Sequence, residues 1–352
     1  MRLLTIVLYA SVFCSLPWCL RCEEGKNDPS NGFGQHVHPT LNARWTSVIP
    51  NKQSLWMNVS GRLHCARREN ATQRAQRPTI RHAWSNQEKL PKFYNATDHY
   101  KNECPGIREI WDQSQCGSCW AVAAVAAMSD RICIRSLQMG KANVSFHLSA
   151  VDLISCCSSC GEGCFGGWPA MAWDYWKNNG IVTGGTWENQ FGCRSYPFPA
   201  CGQPEALFDC SGEFFFTPQC FDFCAGPNVD YAASKTFGAA SYNVPSNAND
   251  IMLEIKKHGP VEATIDVYAD FMGYRSGIYF HAWGGYQGGH AVRIVGWGEE
   301  NGVPYWLVAN SWGATWGEGG YVRFLRGENE CGIEEGVVAG TPDLRKLWKM
   351  ID

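Results

Sequence analysis

The cysteine content of this chain limits its possible folds more than any other feature of the sequence. Of 352 residues, 18 are cysteines, and 14 of these lie from residue 90 onward. Such a density is typical of proteins that fold in an oxidising compartment, where thiols pair. Fourteen cysteines could all pair, but if one is a catalytic thiolate, at least one other must also stay free. Cys119 and Cys331 are the candidates for free cysteines. Cys119 lies in a sequence context typical of a catalytic cysteine, and Cys331 is more than 100 residues from any other cysteine.

Four of these cysteines are closely spaced and could instead bind zinc: Cys156, Cys157, Cys160 and Cys164. In an oxidising compartment thiols form disulfides in preference to binding a metal, so disulfides are the favoured interpretation. We therefore predict no metal and no cofactor.

The N-terminus predicts a secretory signal peptide over residues 1–20. Met1-Arg2 is followed by an apolar run over residues 3–16, which is too short and too abruptly ended for a membrane-spanning helix. A membrane anchor is the alternative interpretation. Four N-x-S/T sequons fit the secretory route and mark candidate glycosylation sites: Asn58, Asn70, Asn95 and Asn143.

Charge divides the rest of the chain into two parts. Residues 21–89 carry a net charge of +6 and residues 90–352 a net charge of −10, within an overall −3. A basic segment ahead of an acidic body predicts a removable propeptide over 21–89 that docks on a mature domain over 90–352. A solvated basic tail is the alternative. The near-neutral total and the absence of a basic stripe argue against nucleic acid as a partner.

The body divides into a helical half over about 105–235 and a β half over about 236–340. Residues 119–137 are rich in alanine and predict a buried helix, whereas residues 261–267, 291–297, 305–310 and 321–325 are β-type runs separated by glycine-rich turns. This pattern predicts an α+β fold with a cleft between the halves, which is a natural place for a site.

The run from Gln113 to Trp120 carries the strongest chemical signal. It contains Cys116-Gly117-Ser118-Cys119-Trp120, which matches the signature around the nucleophile of papain-like cysteine proteases. Cys119 lies where a loop gives way to a helix, and the free N–H groups of a helix N-terminus favour the thiolate form of cysteine. We therefore predict Cys119 as the nucleophile.

The thiolate needs a base, and His290, beside Gly288-Gly289, is the best placed of the five histidines in the body. Asn310, 20 residues later, could hold the imidazole in one tautomer, while Trp312 shields that hydrogen bond from water. Gln113 could supply a side-chain N–H that forms an oxyanion hole with the backbone N–H of Cys119.

From residue 90 to 340 the sequence resembles the cathepsin B group of papain-like cysteine proteases. The matching stretches are residues 116–134, 163–173, 258–262, 289–298, 304–313 and 331–334. The resemblance implies a papain-like fold in which a helical left domain faces a β-barrel-like right domain across the active-site cleft. It implies that the pro-segment around residues 56–65 lies through the cleft in reverse and blocks it. It also implies six disulfides, which leave Cys119 and Cys331 free: Cys104–Cys133, Cys116–Cys164, Cys156–Cys220, Cys157–Cys160, Cys193–Cys224 and Cys201–Cys210.

The loop from Cys201 to Cys210 departs from the family pattern. The group's occluding loop usually carries two adjacent histidines that bind the terminal carboxylate of a substrate, but here it has no histidine and offers Glu205 and Asp209. Carboxylates repel a carboxylate. We therefore predict weak dipeptidyl carboxypeptidase activity and dominant endopeptidase activity.

The resemblance also implies the residues that bind the substrate. Gly166 and Gly167 would line the cleft, and Trp312 would lie beside the histidine. A pocket for the second residue before the scissile bond would be formed by Trp168, Pro169, Thr264, Ala291 and Gly336. Gly336 stands where the group often has a glutamate that accepts arginine, so we expect an apolar or aromatic preference.

The function implied is a lysosomal-type cysteine endopeptidase made as a zymogen, with a Cys-His-Asn mechanism and a mildly acidic pH optimum. Its implied partners are protein and peptide substrates, its own propeptide as an intramolecular inhibitor, and cystatin-type inhibitors, with no membrane anchor once the signal is removed. We expect delivery to a lysosome or lysosome-like endosomal compartment, with secretion as the alternative. Two other functions are a thiol–disulfide oxidoreductase, because residues 116–119 form a C-x-x-C motif, and a catalytically silent binding protein on a protease fold.

Overall fold

We describe the protein from a computed structural model that covers residues 33–48, 64–82, 89–141, 144–201, 214–226 and 229–351. The predicted signal peptide, most of the segment from 56 to 65 and the loop residues Glu205, Asp209 and Cys210 lie outside the described residues, as do the sequons at Asn58 and Asn143. Within these ranges, no helix is long and apolar enough to cross a membrane.

A long helix, α3 (Cys119–Gln138), forms the centre of the molecule, as the alanine-rich run predicts. Its residues are buried almost throughout, because small alanine side chains let other elements approach from several sides. The other helices are α1 (Ala71–Ala75), α2 (Ala96–His99), α4 (Ala150–Cys156), α5 (Pro169–Asn179), α6 (Ala248–His258) and α7 (Leu344–Ile351).

One large mixed sheet dominates the second part of the chain. Its main path runs in the order β1-β2-β8-β11-β10-β9-β7-β12-β6, with β3 paired to β9, and β4 and β5 form a separate pair. The strands are β1 (Phe33–Val37), β2 (Arg44–Val48), β3 (Tyr94–Asn95), β4 (Ile181–Val182), β5 (Lys235–Thr236), β6 (Gly238–Asn243), β7 (Val261–Tyr268), β8 (Tyr274–Tyr279), β9 (Tyr286–Glu300), β10 (Val303–Ala309), β11 (Tyr321–Leu325) and β12 (Val338–Pro342).

Two large hydrophobic cores contain most of the buried apolar residues that the structure describes. One joins the inner faces of the sheet, with Trp297 and Trp306 fully buried. The other surrounds α3, with Trp120, Trp173 and Trp176 at its centre. Helix α3 packs against β9 and β12, so its N-terminus lies at the junction between the two cores. The fold is therefore α+β, with a helical half beside a β half, as predicted.

Residues before 90 extend the sheet. The hairpin β1–β2 pairs with β8, where Trp45 lies opposite Gly277. A Cβ at Gly277 would lie 2.3 Å from the carbonyl oxygen of Arg44, so only glycine permits this approach. Trp45 is 1% exposed and packs against Tyr274 and Tyr279, which anchors the N-terminal segment to the β half.

Candidate active site

Cys119 is the first residue of α3 and is fully buried at the junction of the two cores. Its Sγ accepts a hydrogen bond of 3.2 Å from the backbone N–H of Ala291 on β9. The helix N-terminus on one side and a strand N–H on the other give the sulfur a positive electrostatic environment. Such an environment stabilises a thiolate once the sulfur is free.

His290 and Asn310 lie across the cleft from α3, at adjacent strands of the sheet. The Nε2 of His290 lies 2.7 Å from the Oδ1 of Asn310. Because an amide oxygen only accepts, Nε2 carries the proton, and Nδ1 is the nitrogen that faces the sulfurs. The Trp312 ring lies 4.9 Å from the imidazole, centroid to centroid, and is 3% exposed, so it excludes water from this side of the ring.

The sulfur of Cys119 is bonded to Cys65 of the N-terminal segment. The prediction that Cys119 is free is therefore wrong for this form of the chain. The Sγ of Cys65 lies 3.3 Å from Nδ1 of His290, and the two sulfurs and an imidazole nitrogen lie within 4.8 Å of one another. Cys65 lies outside the 14 cysteines from residue 90 onward, among which the free pair was predicted. Among all cysteines after the predicted signal peptide, Cys65 is a possible partner for Cys119.

The other disulfides of the described residues are those that the resemblance implies. They are Cys104–Cys133, Cys116–Cys164, Cys156–Cys220, Cys157–Cys160 and Cys193–Cys224. Cys331 is a free, half-buried cysteine. Cys116 pairs with Cys164 and Cys119 with Cys65, so the two cysteines of the C-x-x-C motif are not bonded to each other, as a thiol–disulfide oxidoreductase would require.

Gln113 is fully buried and connects the loop before Cys119 to the loop that follows Asn310. Its Nε2 donates to the carbonyl oxygen of Cys116 at 3.0 Å, and its Oε1 accepts from the Ser311 hydroxyl at 2.7 Å. These contacts fix the amide plane. Since Nε2 carries two hydrogens, one remains to serve an oxyanion.

The N-terminal segment fills the cleft and uses its backbone to do so. The N–H of Gly167 donates to the carbonyl of Cys65 at 3.1 Å, and the N–H of Arg67 donates to the carbonyl of Gly167 at 2.8 Å. On the opposite wall, the N–H of Ala66 donates to the carbonyl of Gly289 at 3.1 Å. A Cβ at Gly289 would lie 2.1 Å from the carbonyl oxygen of Ala66, so this approach of the two backbones requires glycine at position 289.

Side chains of the segment add contacts beside this backbone ladder. The Arg67 guanidinium lies 4.8 Å above the Trp168 ring and pairs with Glu162 at 2.9 Å. Gly166 has a φ of +101°, and a Cβ there would lie 2.7 Å from the carbonyl oxygen of His64. The segment therefore occupies the surface that the sequence predicts for substrate.

The predicted specificity pocket is only partly assembled as expected. A cavity of ≈ 150 Å³ is lined by three of its predicted members, Pro169, Thr264 and Gly336. Ala291 instead packs in a small cluster with Cys65 and Cys119. Trp168 is not among the lining residues of this cavity and lies under Arg67, as described above. Three arginines of the N-terminal segment, which the sequence does not place there, also line the cavity: Arg67, Arg68 and Arg74.

A buried ion-pair cluster holds the segment farther along. The Arg77 side chain is 5% exposed and pairs with Glu69 at 2.9 Å and with Asp174 on α5. Asn243 on β6 donates to the backbone carbonyls of Arg74 and Arg77 at 2.9 and 3.1 Å. A solvated tail would not bury an arginine, so the charge asymmetry of the sequence reflects a docked segment.

A second charged contact joins the segment to α6. His82 hydrogen-bonds Glu254, which also pairs with Arg131 at 2.8 Å. Although burial opposes its charge, Arg131 and His82 hold the pKa of Glu254 at about 2. Burial lowers the pKa of the neighbouring His258 to about 4, against the raising effect of Glu254. This cluster therefore carries a charged carboxylate and a neutral imidazole at mildly acidic pH.

Metal binding is not favoured at the two groups of potential ligands that the described residues form. In the first, Cys65, Cys119 and His290, both sulfurs are consumed by their mutual bond. In the second, His82, Glu254 and His258, the carboxylate is already neutralised by a buried arginine.

Two predicted glycosylation sites lie in the described residues, and both asparagines cap helices. Asn70 is exposed and its side chain accepts from the N–H of Gln73 at the start of α1. Asn95 is half-buried and accepts from the N–H of Thr97 at the start of α2. Their glycosylation stays a prediction.

Comparison with known proteins finds a matching family and similar proteins. Residues 91–341 match the family described as papain family cysteine protease. A cathepsin B-like cysteine proteinase of Schistosoma japonicum is 50% identical over 282 residues, which cover 78% of this chain and 80% of that protein. Cathepsin B-like cysteine proteinase 4 of Caenorhabditis elegans is 48% identical over 262 residues, which cover 73% and 77%.

A solved structure resembles this chain in its fold, which is papain-like as predicted. The structure of proCathepsin B S9 from Trypanosoma congolense superposes with a TM-score of 0.71 at 35% identity, covering 85% of this chain and 93% of that chain. This coverage exceeds residues 91–341, so the structural likeness includes part of the N-terminal segment.

Proposed function

Because this chain belongs to the papain family of cysteine proteases, and is a cathepsin B-like peptidase within it, we propose that Cys119, His290 and Asn310 are its catalytic residues. One observation carries the proposal. His290 donates through Nε2 to Asn310 at 2.7 Å and turns Nδ1 toward the sulfur pair at the N-terminus of α3. A nucleophile, a base and a group that orients the base thus stand in order across one cleft.

The geometry supports an ordinary acyl transfer. With Cys119 free, Nδ1 of His290 takes the thiol proton, and the resulting thiolate attacks the carbonyl carbon of the scissile peptide bond. Gln113 Nε2 and the backbone N–H of Cys119 stabilise the oxyanion. The imidazolium protonates the leaving amine, and a thioester remains on Cys119. His290 then takes a proton from water, whose oxygen attacks the thioester and releases the acid.

The described form is latent, and the N-terminal segment is the intramolecular inhibitor. It covers the cleft and bonds Cys65 to the nucleophile. Release needs two events: a thiol reductant must convert the disulfide into two thiols while it becomes oxidised, and the segment over 21–89 must be removed. Nothing else in the catalytic arrangement needs to change, since Nδ1 of His290 already faces the sulfurs and Asn310 already holds Nε2.

The finer activity rests on the loop from Cys201 to Cys210, which lies mostly outside the described residues. Its sequence offers Glu205 and Asp209 and no histidine, so endopeptidase activity should dominate over release of C-terminal dipeptides. Comparison of a peptide with a blocked C-terminus and the same peptide with a free one tests this. Efficient dipeptide release from the free-ended peptide would refute it.

The cellular setting proposed is the secretory route to a lysosome-like compartment, with cystatin-type inhibitors as further partners. Paired cysteines and the predicted signal peptide support the secretory route. A mildly acidic activity maximum would fit this setting.

The mechanism is tested on enzyme that has been reduced and freed of its pro-segment. Cys119→Ser and His290→Ala should each lower kcat for a blocked peptide by at least about 1,000-fold, because they remove groups that act as a unit. Asn310→Ala should lower kcat by about 10- to 100-fold with little change in KM, because it frees the imidazole to rotate. Unchanged kcat in Asn310→Ala, or a change confined to KM, would contradict its orienting role.

A further inference from the structure

The pro-segment places an arginine against the specificity pocket. The guanidinium of Arg68 makes three polar contacts there: Nε with Oδ1 of Asp266 at 3.1 Å, Nη1 with the carbonyl oxygen of Gly332 at 3.0 Å, and Nη2 with that of Cys331 at 2.9 Å. All three acceptors belong to the body. Together they satisfy each nitrogen of the guanidinium, which has five N–H donors in a rigid planar fork.

Two glycines make room for this group. A Cβ on Gly332 would lie 2.4 Å from Nη2 of Arg68, so any other residue would displace the guanidinium. A Cβ on Gly336 would lie 3.5 Å from Nη1 of Arg68 and 3.3 Å from Cβ of Thr264, so a larger side chain would enter the same space. Because residue 336 is glycine and not glutamate, the pocket lacks one negative charge, but a guanidinium has room to reach other acceptors.

Asp266 is rigidly placed with respect to the cleft. It lies on β7 directly opposite Gly289 of β9, and Gly289 accepts the hydrogen bond from the pro-segment at the cleft wall. Because β7 is paired on both sides, with β9 and β12, we expect the backbone at Asp266 to keep its position when the pro-segment leaves. The side chains of Arg68 and Asp266 are 28% and 34% exposed, so the pair is partly shielded from water.

We propose that Asp266, with the carbonyl oxygens of Cys331 and Gly332, makes this pocket select substrates with arginine as the second residue before the scissile bond, and that Arg68 occupies the arginine site in the proform. This inference deepens the proposed function and rests on it. It replaces the apolar preference that the absence of a glutamate at Gly336 suggests. Pro169, Ala170 and Val338 line the same cavity and would cover the methylene stem of the arginine.

The test uses activated enzyme whose working sites are first counted by stoichiometric epoxide labelling of Cys119. An enzyme without such sites would refute the proposed function, whereas a wrong preference in labelled enzyme would refute only this inference. Three blocked peptide substrates are compared that differ only at the second residue before the scissile bond: arginine, its neutral isostere citrulline, and leucine.

The wild type should cleave the arginine peptide with a kcat/KM at least about tenfold above the citrulline peptide, as expected for charge-assisted hydrogen bonds that are partly exposed. Asp266→Asn should reduce this ratio to about two or less, and Asp266→Glu should restore part of it. The wild-type ratio should also shrink when salt rises from 0.05 to 0.5 M, because the pair is partly exposed.

Glu299→Gln is the control for the loss of one carboxylate from the body, since Glu299 pairs with Lys92 at 4.0 Å and does not line this cavity. This variant should keep the arginine preference. Three results would overturn the assignment: a wild-type preference for leucine or citrulline, an arginine preference that survives Asp266→Asn, or one that is lost in Glu299→Gln. If the Asp266 variants yield no labelled sites, the wild-type ratio and its salt dependence still decide the question.

Discussion

The bond between Cys65 and Cys119 yields the sharpest prediction about the proform, and Cys65→Ser is the change that tests it. In the wild-type proform Cys119 is part of a disulfide, so it should not react with an alkylating reagent unless a reductant is added. In Cys65→Ser the thiol of Cys119 has no partner and should react stoichiometrically once the chain is denatured.

The same change should lower the stability of the proform. The two cysteines are 54 residues apart, and closing a loop of that length removes roughly 4 kcal/mol of chain entropy from the unfolded state. For a chain of this size we expect Cys65→Ser to lower the Tm by about 5–8 °C. Reduction of the wild type at neutral pH should lower its Tm by at least as much, because other disulfides are also exposed to the reductant.

The assay is mass spectrometry of the denatured, unreduced proform after alkylation. In the wild type, Cys331 should be alkylated and Cys119 should not, because Cys331 is the free cysteine of the described residues. In Cys65→Ser both should be alkylated. Cys331→Ser is the control, and it should remove the first signal without creating the second. Stoichiometric alkylation of both Cys65 and Cys119 in the unreduced wild type would refute the reasoning.

Two further predictions concern the docked segment and the cluster at α6. Arg77→Ala should destabilise the proform by about 2–3 kcal/mol in a urea titration, because it leaves Glu69 and Asp174 without their buried partner. Arg81 is exposed, so Arg81→Ala should destabilise it by less than about 0.5 kcal/mol. Equal effects of the two variants would contradict this. Between pH 6.5 and 4 the folded chain keeps His258 neutral while the unfolded chain protonates it, so the free energy of unfolding decreases as the pH falls. Relative to the wild type, His258→Gln should therefore be more stable by about 1–2 kcal/mol at pH 4.5 than at pH 7.5, after discounting for the partial exposure of the ring. Parallel pH profiles for the two proteins would count against this.

The sequence predicts the elements that hold the catalytic residues because their signals are local. An alanine-rich run with few breakers identifies α3, and β-type runs between glycine turns identify β7, β9, β10 and β11. The candidate residues Cys119, His290 and Asn310 follow from a signature and its chemistry, and the structure brings them together. Their charge states and roles stay predictions until tested.

Contacts between distant segments account for what the sequence does not predict. Nothing local to Cys65 marks it as the partner of the nucleophile, since the pairing depends on the path of the segment through the cleft. The acceptors of Arg68 include two backbone carbonyls, which leave no trace in side-chain patterns. A pocket deduced from side chains alone therefore omits two of the three groups that accept hydrogen bonds from Arg68.

The central claim is that Cys119 is an ionised nucleophile held by His290. It is tested most directly by the rate at which an alkylating reagent inactivates the reduced, pro-segment-free enzyme, measured from pH 4 to 9 with the modified residue mapped. We expect rapid inactivation through Cys119 at about pH 5–6 in the wild type, and in His290→Ala a rate that rises only toward about pH 8–9, as for an ordinary thiol. The same pH profile in both proteins, or modification at another residue, would contradict it.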